Sequence, residues 1–271
     1  MYTDKIKDMV DMQERIDAIL NKEHYNVYDM AEIVRILRSE NGCPWDKVQT
    51  HATIRKDMIE EAYEVVEAIE CDSVPMMREE LGDVMLQVVF HSVIEEEKGE
   101  FTLDDVADEL CRKLIVRHPH VFGEVKADTV DKVLSNWDAI KKETKGQETF
   151  TDTLESVPKN FPALMRAQKL GKRAARAGID FEKDEENEET DLYIAIRKAI
   201  DAVKLSEVNG QDASGDIGNL LLLCANLARR LGVDAEESLA DSCKDYIKRF
   251  KELEQSGREL DKISPSELYP Y

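Results

Sequence analysis

Two short acidic motifs hold the residues best suited to chemistry, EEAYE at 60–64 and EELGD at 79–83. On a helix, side chains three or four positions apart share a face, with Cβ atoms about 5–6 Å apart. Glu61 and Glu64 then make one carboxylate pair, and Glu80 with Asp83 makes another. If the two helices lie antiparallel, joined by the short connection at 70–75, the pairs can face each other. Four converging oxygen donors form a site for a hard cation, Mg²⁺ or Mn²⁺.

A three-acid pattern of this kind is expected about two or three times by chance in a chain this acidic, so the motif alone is weak. Its neighbours strengthen it. The acids sit among Ala62, Val65, Val66, Ala68 and Ile69 on one helix and Leu81, Val84, Met85 and Leu86 on the other. Charges at the mouth of a core repel one another and lose hydration, a cost that a cation relieves. The competing reading is a solvated acidic face.

The elements that must position these acids are helices. Gly and Pro are scarce, at 12 and 7 residues, and no strand-like alternation is present. Ile6, Met9, Val10, Ile16, Ile19 and Leu20 recur at helical spacing and predict an amphipathic helix within 1–25. A second helix is expected over Val27–Arg38, stopped by Asn41-Gly42 and followed by the turn Cys43-Pro44-Trp45-Asp46. Thr50 is a candidate cap for a third, from Ala52 to Ile69. Met76–Glu97 reads as a long helix whose VMLQVVFHSVI stretch is apolar on almost every side, as in the central member of a bundle. Glu100–Val116 follows through Thr102, with Asp104 and Asp105 in its first turn. Residues 182–191, EKDEENEETD, read as a solvated loop entering a helix.

The chain also repeats itself. GDVMLQVVFHSVIEEEKG (82–99) parallels GNLLLLCANLARRLG (218–232), and EEAYEVVEAI (60–69) parallels DLYIAIRKAI (191–200). Each copy continues into an acidic helix start and a helix read as ending at Arg117 or Arg249. The expected organisation is all-α, with two copies of one four-helix unit: an N-terminal extension at 1–25, a first copy at 26–144, a linker at 145–165 and a second copy at 166–271. Aligned on the repeat, Glu61, Glu64, Glu80 and Asp83 become Leu192, Ala195, Asp216 and Asn219. The apolar framework persists while the carboxylates thin to one, so the metal site is expected in the first copy and the second is degenerate.

Composition bounds the setting. With 271 residues, 58 Asp+Glu against 37 Lys+Arg and a net charge of −21, the chain lacks the basic surface of a general nucleic-acid binder. No apolar run approaches the about 18 residues of a membrane helix, and the start lacks the layout of a signal peptide. Cys43, Cys71, Cys111, Cys224 and Cys243 are scattered and form no C-x-x-C pair, as suits free thiols in a reducing cytoplasm. The expectation is a soluble cytoplasmic protein.

GCPWDKVQTH, EEAYEVVEAIE, REELGDVMLQVVFH, RHPHVFG, NWDAIKKE, GKRAARAGIDF and NLARRLGVDAEESL, in that order, resemble the MazG family of nucleoside triphosphate pyrophosphohydrolases over about residues 28–255. The family signature EExxE followed by ExxD is matched by Glu60, Glu61, Glu64, Glu80 and Asp83. The resemblance implies an all-α fold, Mg²⁺ dependence, hydrolysis of a nucleoside triphosphate to the monophosphate and pyrophosphate, and a homodimer. The second copy lacks both motifs, so this activity is expected of the first.

Roles follow from there. Glu61, Glu64, Glu80 and Asp83 are expected metal ligands, and Glu60 is either a general base or an exposed neighbour. Lys113 and Arg117, at i and i+4, can hold phosphate oxygens, a use the resemblance supports, or stabilise a helix C-terminus. Trp45 or Trp137 can stack on a base; a core or interface position is the default for either, and the resemblance favours Trp137 as the nucleotide neighbour. His118 and His120 are either a transition-metal pair or, with no third soft ligand nearby, loop packing, the favoured reading; His91 reads as a satisfied core histidine, and Lys172, Arg173 and Arg176 form a basic face that either reaches the nucleotide or, the favoured reading, pairs with acidic surface. The competing function is a non-catalytic helical regulator whose acidic sites bind metal or a partner protein.

Overall fold

The computed structural model describes residues 2–123, 125, 129, 132–133, 140, 149–181 and 191–269. Two compact units divide the chain, Met1–Trp137 and Asp138–Tyr271. The described residues are helical or irregular, with no strand among them, so the architecture is all-α. The acidic stretch 182–190 and Trp137 lie outside the described residues.

Among the described residues of the first unit the helices are α1 (Tyr2–Leu20), α2 (Val27–Arg38), α3 (Asp57–Glu70), α4 (Val74–Glu96), α5 (Leu103–Arg117) and the short α6 (Pro119–Phe122). Asn26 starts α2 through a capping box: its side chain accepts from the amides of Tyr28 and Asp29, and Asp29 accepts in return from the Asn26 amide. Thr102 and Asp105 do the same for α5. The apolar run of α4 has the consequence its pattern predicts. It packs on α2, α3 and α5 and supplies Val89, Phe90, Val93 and Ile94 to a core completed by Ala31, Val34 and Ile54.

The lead into α3 differs from expectation. The helix begins at Asp57 rather than Ala52, and 50–56 form turns. Thr50 and Thr53 satisfy one another locally: the Thr50 amide donates to Thr53 Oγ1 at 2.8 Å, and that hydroxyl donates to the Thr50 carbonyl at 2.9 Å. Such bonds compete with helix hydrogen bonding. Ile54, 3% exposed, is drawn into the core from this turn.

Arg38 ties the preceding turn down. Its side chain is 5% exposed. It donates to both Glu97 oxygens at 2.7 Å and to the carbonyls of Asp46 and Gln49 at 2.8 and 3.1 Å, and it lies over the Phe90 ring. The chain reverses tightly just after α2, with the Cys43 amide donating to the Leu37 carbonyl at 2.7 Å. A Cβ at Gly42 would stand 2.3 Å from the carbonyl oxygens of Ile36 and Leu37. Backbone cannot retreat from such a contact without opening the turn. Gly42→Ala is therefore expected to destabilise the first unit by about 1–3 kcal/mol, read as a lower urea midpoint.

The second unit holds α7 (Phe150–Glu155), α8 (Ala163–Arg176), α9 (Asp191–Val208), α10 (Ser214–Leu231) and α11 (Ala235–Gln255). α10 packs on α8 and α9, and α11 runs past Arg249 to Gln255 instead of ending there. Within the segment 145–165, α7 carries a capping box between Thr149 and Asp152, and Val157 is 1% exposed. Arg173 of the basic face donates to Ser156 Oγ at 2.7 Å.

Candidate metal centre

α3 and α4 form a helical hairpin whose turn passes through Asp72, a non-glycine residue at φ 49°. The hairpin brings Glu61, Glu64 and Glu80 together, each half-buried, with one carboxylate oxygen of each within 4.8 Å of the others. Asp83 stands beside this cluster: its charge acts on both Glu61 and Glu80, although its oxygen is not among the three that converge. Glu60 is exposed and outside the cluster.

The electrostatics are those of acids crowded at a half-buried place. Burial pushes the Glu61 carboxyl above its ordinary range, helped by a hydrogen bond with Glu64 and by the charges of Asp83, Glu64 and Glu80. Burial also leads the upward shift at Glu80, followed by Glu64, Glu79 and Asp83. A carboxyl whose pKa is raised on folding favours the native state when protonated, so this contribution is full at low pH and lost as pH rises through the raised value. A divalent cation reverses that loss, and must displace the protons to do so. Stabilisation by Mg²⁺ is accordingly expected to be greatest at pH 7–8 and to vanish on acidification through the raised carboxyl range. Melting curves with and without Mg²⁺ across pH test this, because subtraction cancels the other carboxylates.

The other expected residues are more dispersed. Lys113 is exposed on α5 and pairs with Glu109 at 3.2 Å, while Arg117 is half-buried one turn further on. Trp45 is 59% exposed, so the core position that is the default for tryptophan does not hold here. His118 bonds the Leu114 carbonyl at 2.6 Å, in keeping with loop packing. His91 is half-buried rather than enclosed in the core, and it is satisfied by a partner that periodicity gave no means of finding: His51, with Nδ1···Nδ1 at 2.7 Å.

In the second unit, α9 and α10 make the corresponding hairpin. Leu192, aligned with Glu61, is fully buried. Asp216, aligned with Glu80, accepts a 2.6 Å hydrogen bond from Ser206 Oγ.

A helical hairpin with facing carboxylates in an all-α chain defines a class of acidic, metal-competent helical proteins. Comparison with known proteins is more specific. The family model described as "MazG nucleotide pyrophosphohydrolase domain" matches residues 49–122, the stretch that contains α3, α4 and α5. A protein named nucleoside triphosphate pyrophosphohydrolase from Escherichia coli K12 is 40% identical over 228 residues, 82% of this chain and 84% of that protein. One named nucleoside triphosphate pyrophosphohydrolase/pyrophosphatase MazG from Thermotoga maritima is 38% identical over 247 residues, 90% of this chain and 92% of that protein. The chain belongs to the MazG family.

Proposed function

We propose that this chain hydrolyses nucleoside triphosphates to nucleoside monophosphate and pyrophosphate, with Mg²⁺ at the carboxylate cluster of the first copy. The observation that carries this reading is the convergence of Glu61, Glu64 and Glu80 within a MazG-family chain. An all-oxygen, anionic donor set in which burial and neighbouring carboxylates raise the pKa of Glu61 and Glu80 fits Mg²⁺, with Mn²⁺ as a substitute. When bound, the ion supplies charge neutralisation and polarisation of the phosphate.

The chain's own residues complete the site in this reading. Glu61, Glu64 and Glu80 hold the ion, and Asp83 adds charge beside them. Lys113 exchanges Glu109 for a phosphate oxygen, and Arg117 holds another. Glu60, open to solvent next to Glu61, accepts the proton of the attacking water. Trp137 is assigned to the base on family resemblance alone. The catalytic copy spans 26–144 after a helical extension at 1–25. A linker at 145–165 leads to a second copy at 166–271, and buried Leu192 and hydroxyl-bonded Asp216 support the absence of a second metal site there.

A homodimer belongs to the same proposal. Ile59, Tyr63 and Val66 on α3 and Leu81, Met85 and Val88 on α4 are 36–58% exposed, each set at i, i+4 and i+7 on one face of its helix, which supports an apolar face for a second copy to cover. Light scattering is expected to give twice 31.0 kDa, with Val88→Glu shifted to the monomer. A cytoplasmic setting without nucleic-acid partners is supported by five free cysteines and the acidic charge. No helix among the described residues is long and apolar enough to cross a membrane.

Product analysis of a panel of NTPs and dNTPs tests the function. Monophosphate plus pyrophosphate, abolished by EDTA, is expected. Diphosphate plus phosphate would overturn the bond assignment. Metal-independent binding of a protein partner without turnover would favour the regulator.

A further inference from the structure

His91 Nδ1, His51 and Glu95 form a hydrogen-bonded relay between the turn that precedes α3 and the far end of α4. The two Nδ1 atoms are 2.7 Å apart, and His51 Nε2 bonds Glu95 Oε1, which also accepts from Lys98 Nζ at 2.6 Å. The ring centroids are 4.9 Å apart and the planes differ by 15°. That separation is close to the nitrogen–nitrogen distance plus the two ring radii, so both nitrogens lie on the line between the centroids. The rings therefore meet edge to edge through a straight N–H···N bond, with no room for a metal between them. One proton occupies this axis whichever ring owns it, and the remaining His51 N–H faces the carboxylate.

The relay's register is that of the acid cluster. Glu64 with Glu80, and Glu61 with Asp83, are both centred on Asp72, the turn residue of the hairpin. His51 with His91 and His51 with Glu95 are centred on the same place to within one residue. His91 lies eleven residues beyond Glu80, about 16 Å along the axis at 1.5 Å per residue. The Asp72 turn holds one end of the hairpin and the relay holds the other. Rotating α3 by a single residue would swing Glu61 and Glu64 by about 100°. Ile54 also grips α4 from this turn, but apolar contact is non-directional, whereas the relay specifies an angle.

We propose that the His91–His51–Glu95 relay is the register lock of the α3–α4 hairpin, and that His51 and His91 are positioning residues holding Glu61 and Glu64 level with Glu80 and Asp83. The lock tolerates one shared proton and not two facing ones. Burial, then the His51 charge, hold His91 below the usual imidazole range, and no other charge among the described residues moves it. Glu95 is held low by Lys98 and His51, so it stays ionised as the pair titrates. The guanidiniums that α2 brings to this end, Arg35 and Arg38, are engaged with Glu96 and Glu97, and Asp105 at the start of α5 with Thr102. Because the His91 pKa is depressed on folding, the lock's contribution is present above about pH 6.5 and lost as pH falls towards the lowered value.

The consequence for the cation rests on the metal reading above; the lock itself does not. Three measurements on the full chain separate them. Imidazole ¹⁵N spectra are expected to show a ¹⁵N–¹⁵N coupling across the His51–His91 Nδ1···Nδ1 hydrogen bond, and its absence would overturn the relay. Hydrogen exchange in Asp57–Glu64 is expected to quicken about tenfold in His51→Leu with α2 unchanged. Unchanged exchange there would overturn the lock, whether or not the wild type binds Mg²⁺. If His51→Leu does not fold, Glu95→Ala leaves both rings and the core in place and is expected to quicken the same amides. Mg²⁺ affinity is expected to fall about tenfold in His51→Leu and to stay within about twofold in Glu95→Gln, which keeps the acceptor. Wild-type affinity in His51→Leu would overturn the positioning role. A wild type without any Mg²⁺ response would end the metal reading, and exchange would still decide the lock.

Discussion

Glu64→Gln is expected to lower turnover by about 10²–10³-fold while leaving the helical circular dichroism unchanged. Glu64 acts on both Glu61 on its own helix and Glu80 on the facing one, so it is the carboxylate through which the two pairs meet. The amide keeps the shape and one oxygen but removes a charge that a divalent cation must feel directly. Glu60→Gln makes the contrast, because Glu60 is exposed and outside the converging oxygens. A loss of kcat in that variant with substrate binding intact would assign Glu60 the proton-accepting role, and no loss would make it a bystander. Pyrophosphate release under saturating Mg²⁺ reads both variants, and full activity of Glu64→Gln would remove the metal centre from this hairpin.

The second large effect concerns stability. Metal-free Glu61→Gln/Glu80→Gln is expected to melt above the metal-free wild type at pH 7–8, since it deletes two carboxyls whose burial and mutual repulsion disfavour the charged native state. Mg²⁺ at a hundredfold excess over its dissociation constant contributes about 2.7 kcal/mol to the wild type, roughly 5–10 °C in Tm. The double variant is expected to show no such shift, so the order of the two proteins reverses when the ion is added. An undiminished shift would locate the cation elsewhere.

How much of this was legible in the chain differs from residue to residue. Glu61, Glu64 and Glu80 were legible because three-residue spacing on a helix is a local property and the hairpin connection is short. The separation of Glu60 from the cluster was not: adjacent residues differ by about 100° around a helix, and which of them faces α4 depends on packing. His91 read as a core histidine, which gives its burial and omits its partner. His51 lies forty positions away, between the candidate cap Thr50 and the expected helix start at Ala52, and the Thr50–Thr53 bonds turned that stretch aside. Arg38 gave no signal beyond a basic residue in a last helical turn, yet it holds two carbonyls and Glu97 at once.

The sequence by itself determined an all-α chain, the positions of its main helices, a central apolar α4 and a family whose motifs appear in order. Each of these follows from helical periodicity, capping or residue order, which act within a few positions along the chain. Only the tertiary structure decided that three carboxylates converge while Asp83 stands beside them, that Leu192 is fully buried in the second unit, and that a histidine relay reaches across the first hairpin. Convergence between helices depends on their relative rotation and register. Those are set where separate segments bury surface against one another and find directional partners, and no local spacing contains that information.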